Sequence, residues 1–140
     1  MLIWLIVQFL LGMALNLFVT LPDDHPGSKA SEYFGGVAQS VTWAILHGPV
    51  LLVLHAALGL LLVVGAAVLL IQAIRSGPRS IAIATGVGAF AVLAAGFNGG
   101  SFLNYHEDVS SMIMAIFFAI AVLAYATALF ISSAPRPSRS

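Results

Sequence analysis

The side chains best suited to ligand chemistry are four histidines and five carboxylates, and they fall in three short stretches of a 140-residue chain. His25 stands among Asp23, Asp24 and Glu32; His47 and His55 bracket Gly48-Pro49; His106 is followed by Glu107 and Asp108, with Asn98, Asn104 and Met112 close by in sequence. Neutral imidazoles from facing helices are what a b-type haem takes. His55 paired with His47 or His106 would supply them, with Met112 as a further axial partner and Asn98 and Asn104 beside the site. His47 and His55 are separated by about 80° around an ideal helix and about 12 Å along it, so they cannot both grip one iron without a break at Pro49. A second chemistry is metal binding by His106, Glu107, Asp108, His47 and His25, a donor set that suits zinc, while Met112 and Met114 beside histidine suit copper(I). No His-x-x-x-His or His-Glu-x-x-His spacing supports it. A third is a quinone pocket, for which His, Asn and Tyr are hydrogen-bond donors beside apolar walls. His25 lies in a Pro- and Gly-flanked aqueous loop, where a mobile, solvated ring is expected. There is no Gly-x-Ser-x-Gly nucleophile turn, and no catalytic motif is recognised.

The elements that must position these groups are apolar. Hydrophobic residues make up 61% of the chain and charged residues 7%, with a mean hydropathy of +1.07, far from the roughly 25% charged residues of a soluble domain. The expectation is one integral membrane domain over 1–131, an all-α four-helix transmembrane bundle, with the bilayer as its main partner. Five scattered basic residues form no nucleic-acid stripe. The absence of cysteine removes disulfides and thiolate ligands. The first apolar run has no basic residue before it and no small-x-small cleavage pattern, which reads as a retained helix rather than a secretory signal.

Hydropathy places the helices at about 2–21, 41–74, 80–97 and 109–131. The second exceeds the roughly 20 residues that cross a hydrocarbon core, so it kinks or starts at Pro49. Asn16 and Thr20 share a face expected to turn toward protein. Ala84, Gly88, Ala91 and Ala95 form a small-residue stripe that predicts a central position for the third helix, and Ser111, Ala115 and Ala119 form another on the fourth. Asn98-Gly99-Gly100 reads as a turn, and Asp108 or Ser110 as the cap of the last helix. Trp4, Trp43 and Tyr105 read as interfacial anchors. Residues 132–140, rich in Ser, Pro and Arg, read as a disordered cytoplasmic tail.

Charge gives an orientation. Arg75, Arg79, Arg136 and Arg139 sit in the second connection and the tail, with no acid, whereas all five acids sit in the other two connections. Basic residues stay cytoplasmic, so a multi-pass cell-membrane protein with both termini inside is expected. Counting up from Arg75 then puts His55 about 30 Å away, at the outer edge of the hydrocarbon. The polar groups therefore converge on an extracytoplasmic cap, which predicts ligand or cofactor binding there with haem b as first candidate. The competing expectations are an accessory protein of other membrane subunits, or a homo-oligomer, without cofactor, and the metal site above.

His55-Ala-Ala-Leu-Gly-Leu-Leu-Leu62 is similar to the His-x-x-Leu-Gly stretch of small bacterial four-helix membrane proteins, some of them membrane-bound b-type cytochromes. The likeness covers eight residues and implies an inner-membrane four-helix fold with at most one outer-leaflet haem.

Overall fold

The computed structural model describes residues 1–133, which form five helices and no strand. They are α1 (Leu2–Phe18), α2 (Tyr33–His47), α3 (Val50–Ser76), α4 (Arg79–Tyr105) and α5 (Asp108–Ser133). Three of them, α3, α4 and α5, are long and apolar enough to cross a membrane; α1 is apolar but has 17 residues. Five helices stand where four apolar runs were expected, because the run at 41–74 divides at Pro49, one of the two alternatives that proline allows, and each altered boundary has a local cause.

α1 stops at Phe18 rather than at residue 21. Val19 is extended and its N–H closes on the Leu15 carbonyl at 3.0 Å; Pro22, a few residues on, cannot continue a helix. The expected helix at 41–74 is two helices joined at Gly48-Pro49. Proline has no N–H, so Pro49 ends the α2 ladder and stands in front of α3. A Cβ on Gly48 would collide with the Ala44 carbonyl, so the break needs glycine there. α2 itself begins eight residues earlier than expected, at Tyr33. The Glu32 carboxylate caps it, accepting from the N–H groups of Phe34 and Gly35.

The largest correction is in α4, which runs to Tyr105 and carries Asn98-Gly99-Gly100 inside the helix instead of in a turn. Asn98 Nδ2 donates to its own helix at the Ala94 carbonyl, 2.8 Å away. The two glycines serve close packing: a Cβ on Gly99 would lie 3.2 Å from Met114 Sδ, and one on Gly100 2.6 Å from Val37 Cγ1. Small residues at helix contacts let backbones approach, and a helix keeps its own hydrogen bonds where water is scarce.

α4 and α5 form the most extensive pair, joined by His106-Glu107 alone. α4 also packs on α2 and α3, which is the central position its small-residue stripe predicts. α1 packs on α3 and more lightly on α5, where Phe9 stacks on Phe118 at 5.7 Å. One core cluster draws Leu5, Leu62, Ala66, Ala89, Ala91, Val92, Ala121 and Tyr125 from these helices; a second, beneath α2, holds Ala44, Leu52 and Leu103. Gly88 is buried against the Tyr125 ring. Two expected faces are turned otherwise. Ala115 and Ala119 are exposed, because α5 packs instead through Ser110, Ala121, Ala124, Tyr125 and Ala128. Asn16 and Thr20 are also exposed, since α1 turns Leu5, Gln8 and Gly12 toward the bundle. Ser132 and Ser133 close α5; the rest of the expected tail lies outside the described residues.

Candidate functional site

The polar side chains separate into two layers. The first is a contact between α1 and α3. Gln8 Nε2 lies 3.1 Å from the His55 carbonyl and 3.2 Å from His55 Nε2. Donating to the carbonyl fixes which end of the amide faces the ring. His55 Nε2 must then accept, and the ring proton belongs on Nδ1. Gly12 permits this approach, because a Cβ there would lie 3.0 Å from His55 Cε1. Gln8 Oε1 and His55 Nδ1 are buried without a hydrogen-bond partner among the described residues.

The second layer is the cap, where the loop between α1 and α2 is sewn to the last turn of α4. The carbonyls at a helix C-terminus have no partner within the helix. Leu103 O faces His25 Nε2 at 3.0 Å, and Asn104 O accepts from Lys29 N–H at 3.0 Å. Asn104 Oδ1 accepts from Ala30 N–H at 3.2 Å, and the Tyr105 hydroxyl donates to the Ala30 carbonyl at 3.2 Å. His25 is therefore held, not mobile as its flanking Pro and Gly suggested: its ring stacks on Trp43 of α2 with centroids 4.4 Å apart. Gly27, at φ +93°, makes the turn that seats the loop on α2, where a Cβ would meet the Gly36 carbonyl and Ser40. His106 ends α4 in the left-handed conformation at φ +57°, its N–H on the Phe102 carbonyl at 2.8 Å.

Asn104 and Ser40 are fully buried, and Asn104 Nδ2, Ser40 Oγ and His106 Nε2 have no hydrogen-bond partner among the described residues. Beside them on α2 runs an open groove of about 350 Å³, lined by Pro26, Ala38, Gln39, Thr42, Trp43, Leu46 and His47. Its walls are largely apolar, with Gln39, Thr42 and His47 as hydrogen-bonding groups and an indole shared with the His25 stack.

Of the residues singled out in sequence, Asn104, His106 and His25 meet in the cap, and His47 lines the adjacent groove. His55 is engaged with Gln8 instead. Asn98 bonds its own helix, while Met112, Glu107 and Asp108 are exposed. Asp108 is the first residue of α5, and Ser110 Oγ donates to Ser101 Oγ at 3.3 Å rather than capping the helix. No group of three His, Asp or Glu side chains close enough to hold a metal ion occurs among the described residues, so His106, Glu107, Asp108, His47 and His25 are not gathered into a site. Sequence reasoning missed Ser40, Gln39 and Thr42, which became site residues only because α2 is a helix across that stretch. It also missed Gln8, whose one signal was an amide in an otherwise apolar run.

Haem b needs an imidazole nitrogen facing a slot between helices. His55 gives Nε2 to Gln8, and each ring nitrogen of His25 faces a carbonyl, at Pro26 and Leu103. His47 is exposed at the end of α2, and the buried, unpartnered Nε2 of His106 is not part of the groove lining. The ring nitrogens as placed do not fit the group.

Three helices long and apolar enough to cross a bilayer, with one polar layer between α1 and α3 and a second at the α4–α5 turn, define a helical membrane protein. No known protein family, curated protein or solved structure matches the chain.

Proposed function

We propose that α1, α3, α4 and α5 form a four-helix transmembrane bundle with both termini in the cytoplasm, and that the cap outside binds a small amphiphile with a hydrogen-bond-accepting head of quinone type. The orientation rests on charge, since Arg75 and Arg79 flank the α3–α4 turn and the acids lie in the connections at the opposite end. α1 is about 25 Å long and packs along the outer part of α3, with Met1 beside Gly65 and Leu15 against the Leu52 cluster, so in this reading it is the short member of the bundle and begins inside the inner leaflet.

The observation that carries the binding role is the α2 groove. Its volume of about 350 Å³ falls in the range of small-molecule pockets, roughly 300–1,000 Å³. Gln39 and His47 are exposed donors along it, and Trp43 gives a flat apolar surface beside them. A quinone ring has acceptor oxygens at opposite edges and an apolar face, the complement of that lining. A haem reading requires Gln8 to leave His55 or the cap to reopen around His106, so it is the less economical use of the same residues.

Trp4 and Trp43 are the only indoles, so a Trp4→Phe protein reports on the groove alone. A short-chain benzoquinone should quench Trp43 fluorescence saturably, and replacing both Gln39 and His47 with alanine should weaken the midpoint about tenfold, the loss expected when one net hydrogen bond of about 1.4 kcal/mol disappears. Quenching that rises linearly without saturation rejects the groove as a binding site. A Soret band in the purified protein would replace the quinone reading with haem.

A further inference from the structure

We propose that His25 closes the cap as an imidazolium, so that a bound proton is part of what ties the α1–α2 loop to α2 and α4. The inference depends neither on the groove being a binding site nor on the orientation of the bundle.

Both nitrogens of the His25 ring face carbonyl oxygens, Nδ1 at 3.1 Å from Pro26 O and Nε2 at 3.0 Å from Leu103 O. A carbonyl oxygen only accepts, and a neutral imidazole has one N–H and one lone pair. Whichever neutral tautomer forms, a nitrogen lone pair stands against an oxygen. The doubly protonated ring donates at both ends. Its stacking partner favours the same form: the ring lies on the Trp43 indole with centroids 4.4 Å apart and planes 11° from parallel, and the face of an indole attracts a cation. Leu103 belongs to the last turn of α4, whose carbonyls carry the negative end of the helix dipole.

The surrounding titratable groups leave this role to His25. In its own loop Asp23, Asp24 and Lys29 are exposed, and the Glu32 carboxylate is committed to the α2 N-terminus. α2 contributes His47, exposed at its far end. From the end of α4, the Tyr105 hydroxyl donates to the Ala30 carbonyl, and Glu107 and Asp108 beyond it are exposed. The close neighbour is His106, its ring centroid 6.2 Å from that of His25. Two imidazoliums at this distance repel. His106 Nε2 is buried with no hydrogen-bond partner among the described residues, so a charged N–H there would go unanswered. The one charge of the pair therefore falls on His25.

Imidazole changes charge between about pH 5 and 8. The closed cap holds a proton that the open loop gives up more readily, so closure is complete at the acidic end of that range and weakens as the pH rises. Deprotonation removes one of the two bonds. Losing the Pro26 bond loosens a wall of the α2 groove, and losing the Leu103 bond unties the loop from α4.

Combining Trp4→Phe with His47→Gln leaves Trp43 as the one indole and removes the other histidine of the groove lining. A charged imidazole in contact with an indole quenches its emission, so Trp43 in the ligand-free protein should brighten as the pH is raised from about 5 to about 8. Amide protection at Ser28, Lys29 and Ala30, corrected for the intrinsic exchange rate at each pH and referenced to mid-α5 amides, should fall about tenfold, the loss of one hydrogen bond made by a charged group. His25→Gln should abolish both changes with pH. His106→Asn, which tolerates the left-handed backbone there, should leave both in place. Emission and protection that stay flat across the range, or changes that survive His25→Gln, overturn the latch.

Discussion

Replacing Asn104 with alanine should release the loop that closes the cap. Asn104 is 0% exposed, and its Oδ1 is the acceptor for Ala30 N–H at 3.2 Å. The substitution removes that acceptor and leaves a small void beside Gly36, where the amide now packs closely. Stranding a buried donor costs about 1–3 kcal/mol. Ala30 is only partly buried, so water can reach its N–H once the side chain is gone, which favours the lower end. Asn104 Nδ2 has no hydrogen-bond partner among the described residues, so its removal returns part of the loss. The net effect should be about 1–2 kcal/mol on local opening, or a rise of about 5- to 30-fold in amide exchange at Ala30. Lys29, whose N–H bonds the Asn104 backbone carbonyl, should follow because the two bonds hold one turn. Hydrogen exchange of the detergent-solubilised protein, resolved by residue, measures this directly, with mid-α5 amides as internal reference. If Ala30 exchanges at the native rate while the variant is folded, the side-chain bond does not hold the cap and the reasoning fails.

Two further substitutions test the packing below it. Gly88→Ala places a methyl group 2.8–3.1 Å from three carbons of the buried Tyr125 ring; overpacking of this kind costs about 1–3 kcal/mol and should lower the midpoint of unfolding in mixed micelles. An unchanged midpoint would show that α4 and α5 separate freely. Gln8→Leu removes the clamp on His55 and should cost about 0.6–1.7 kcal/mol in the same assay. A gain in stability would mean that the unpartnered Gln8 Oε1 and His55 Nδ1 outweigh the bonds made.

What the sequence revealed and what it concealed divide along a physical line. Long apolar runs could be recognised one residue at a time, because the cost of polar groups in hydrocarbon acts locally. Thus α3, α5 and most of α4 lie where hydropathy put them, and the break at Gly48-Pro49 is among the alternatives that proline chemistry allowed. Glycines were misread, because Asn98-Gly99-Gly100 looks like a turn when only backbone freedom is considered, and Gly35-Gly36 falls before the helix expected to begin at 41. Their role depends on partners distant in sequence: a Cβ at Gly36 would lie 2.5 Å from Asn104 Nδ2, and one at Gly100 would press on Val37. The same small residue that loosens a free chain tightens a crossing of two helices, and the sequence carries no local mark of which applies. For the site, the placement of Asn104, Tyr105 and His106 at one polar end could be inferred from topology, whereas the seating of His25 against Trp43 and the Leu103 carbonyl could not. Nor could the separation of His55 from them. It depends on Gln8, 47 residues away, reaching the ring first.

That separation bears on how the two layers act. Gln8 and His55 join α1 to α3, whereas the cap joins the α1–α2 loop and α2 to the end of α4. Among the described residues the layers share no hydrogen bond, and each is built around its own glycine contacts, Gly12 in one and Gly27, Gly36 and Gly100 in the other. Leu15 and Ala56 bridge them only through apolar packing against Ala44, Leu52 and Leu103. Interactions without shared partners contribute nearly independently. Loosening the cap, as Asn104→Ala should do, is therefore expected to leave the α1–α3 clamp undisturbed.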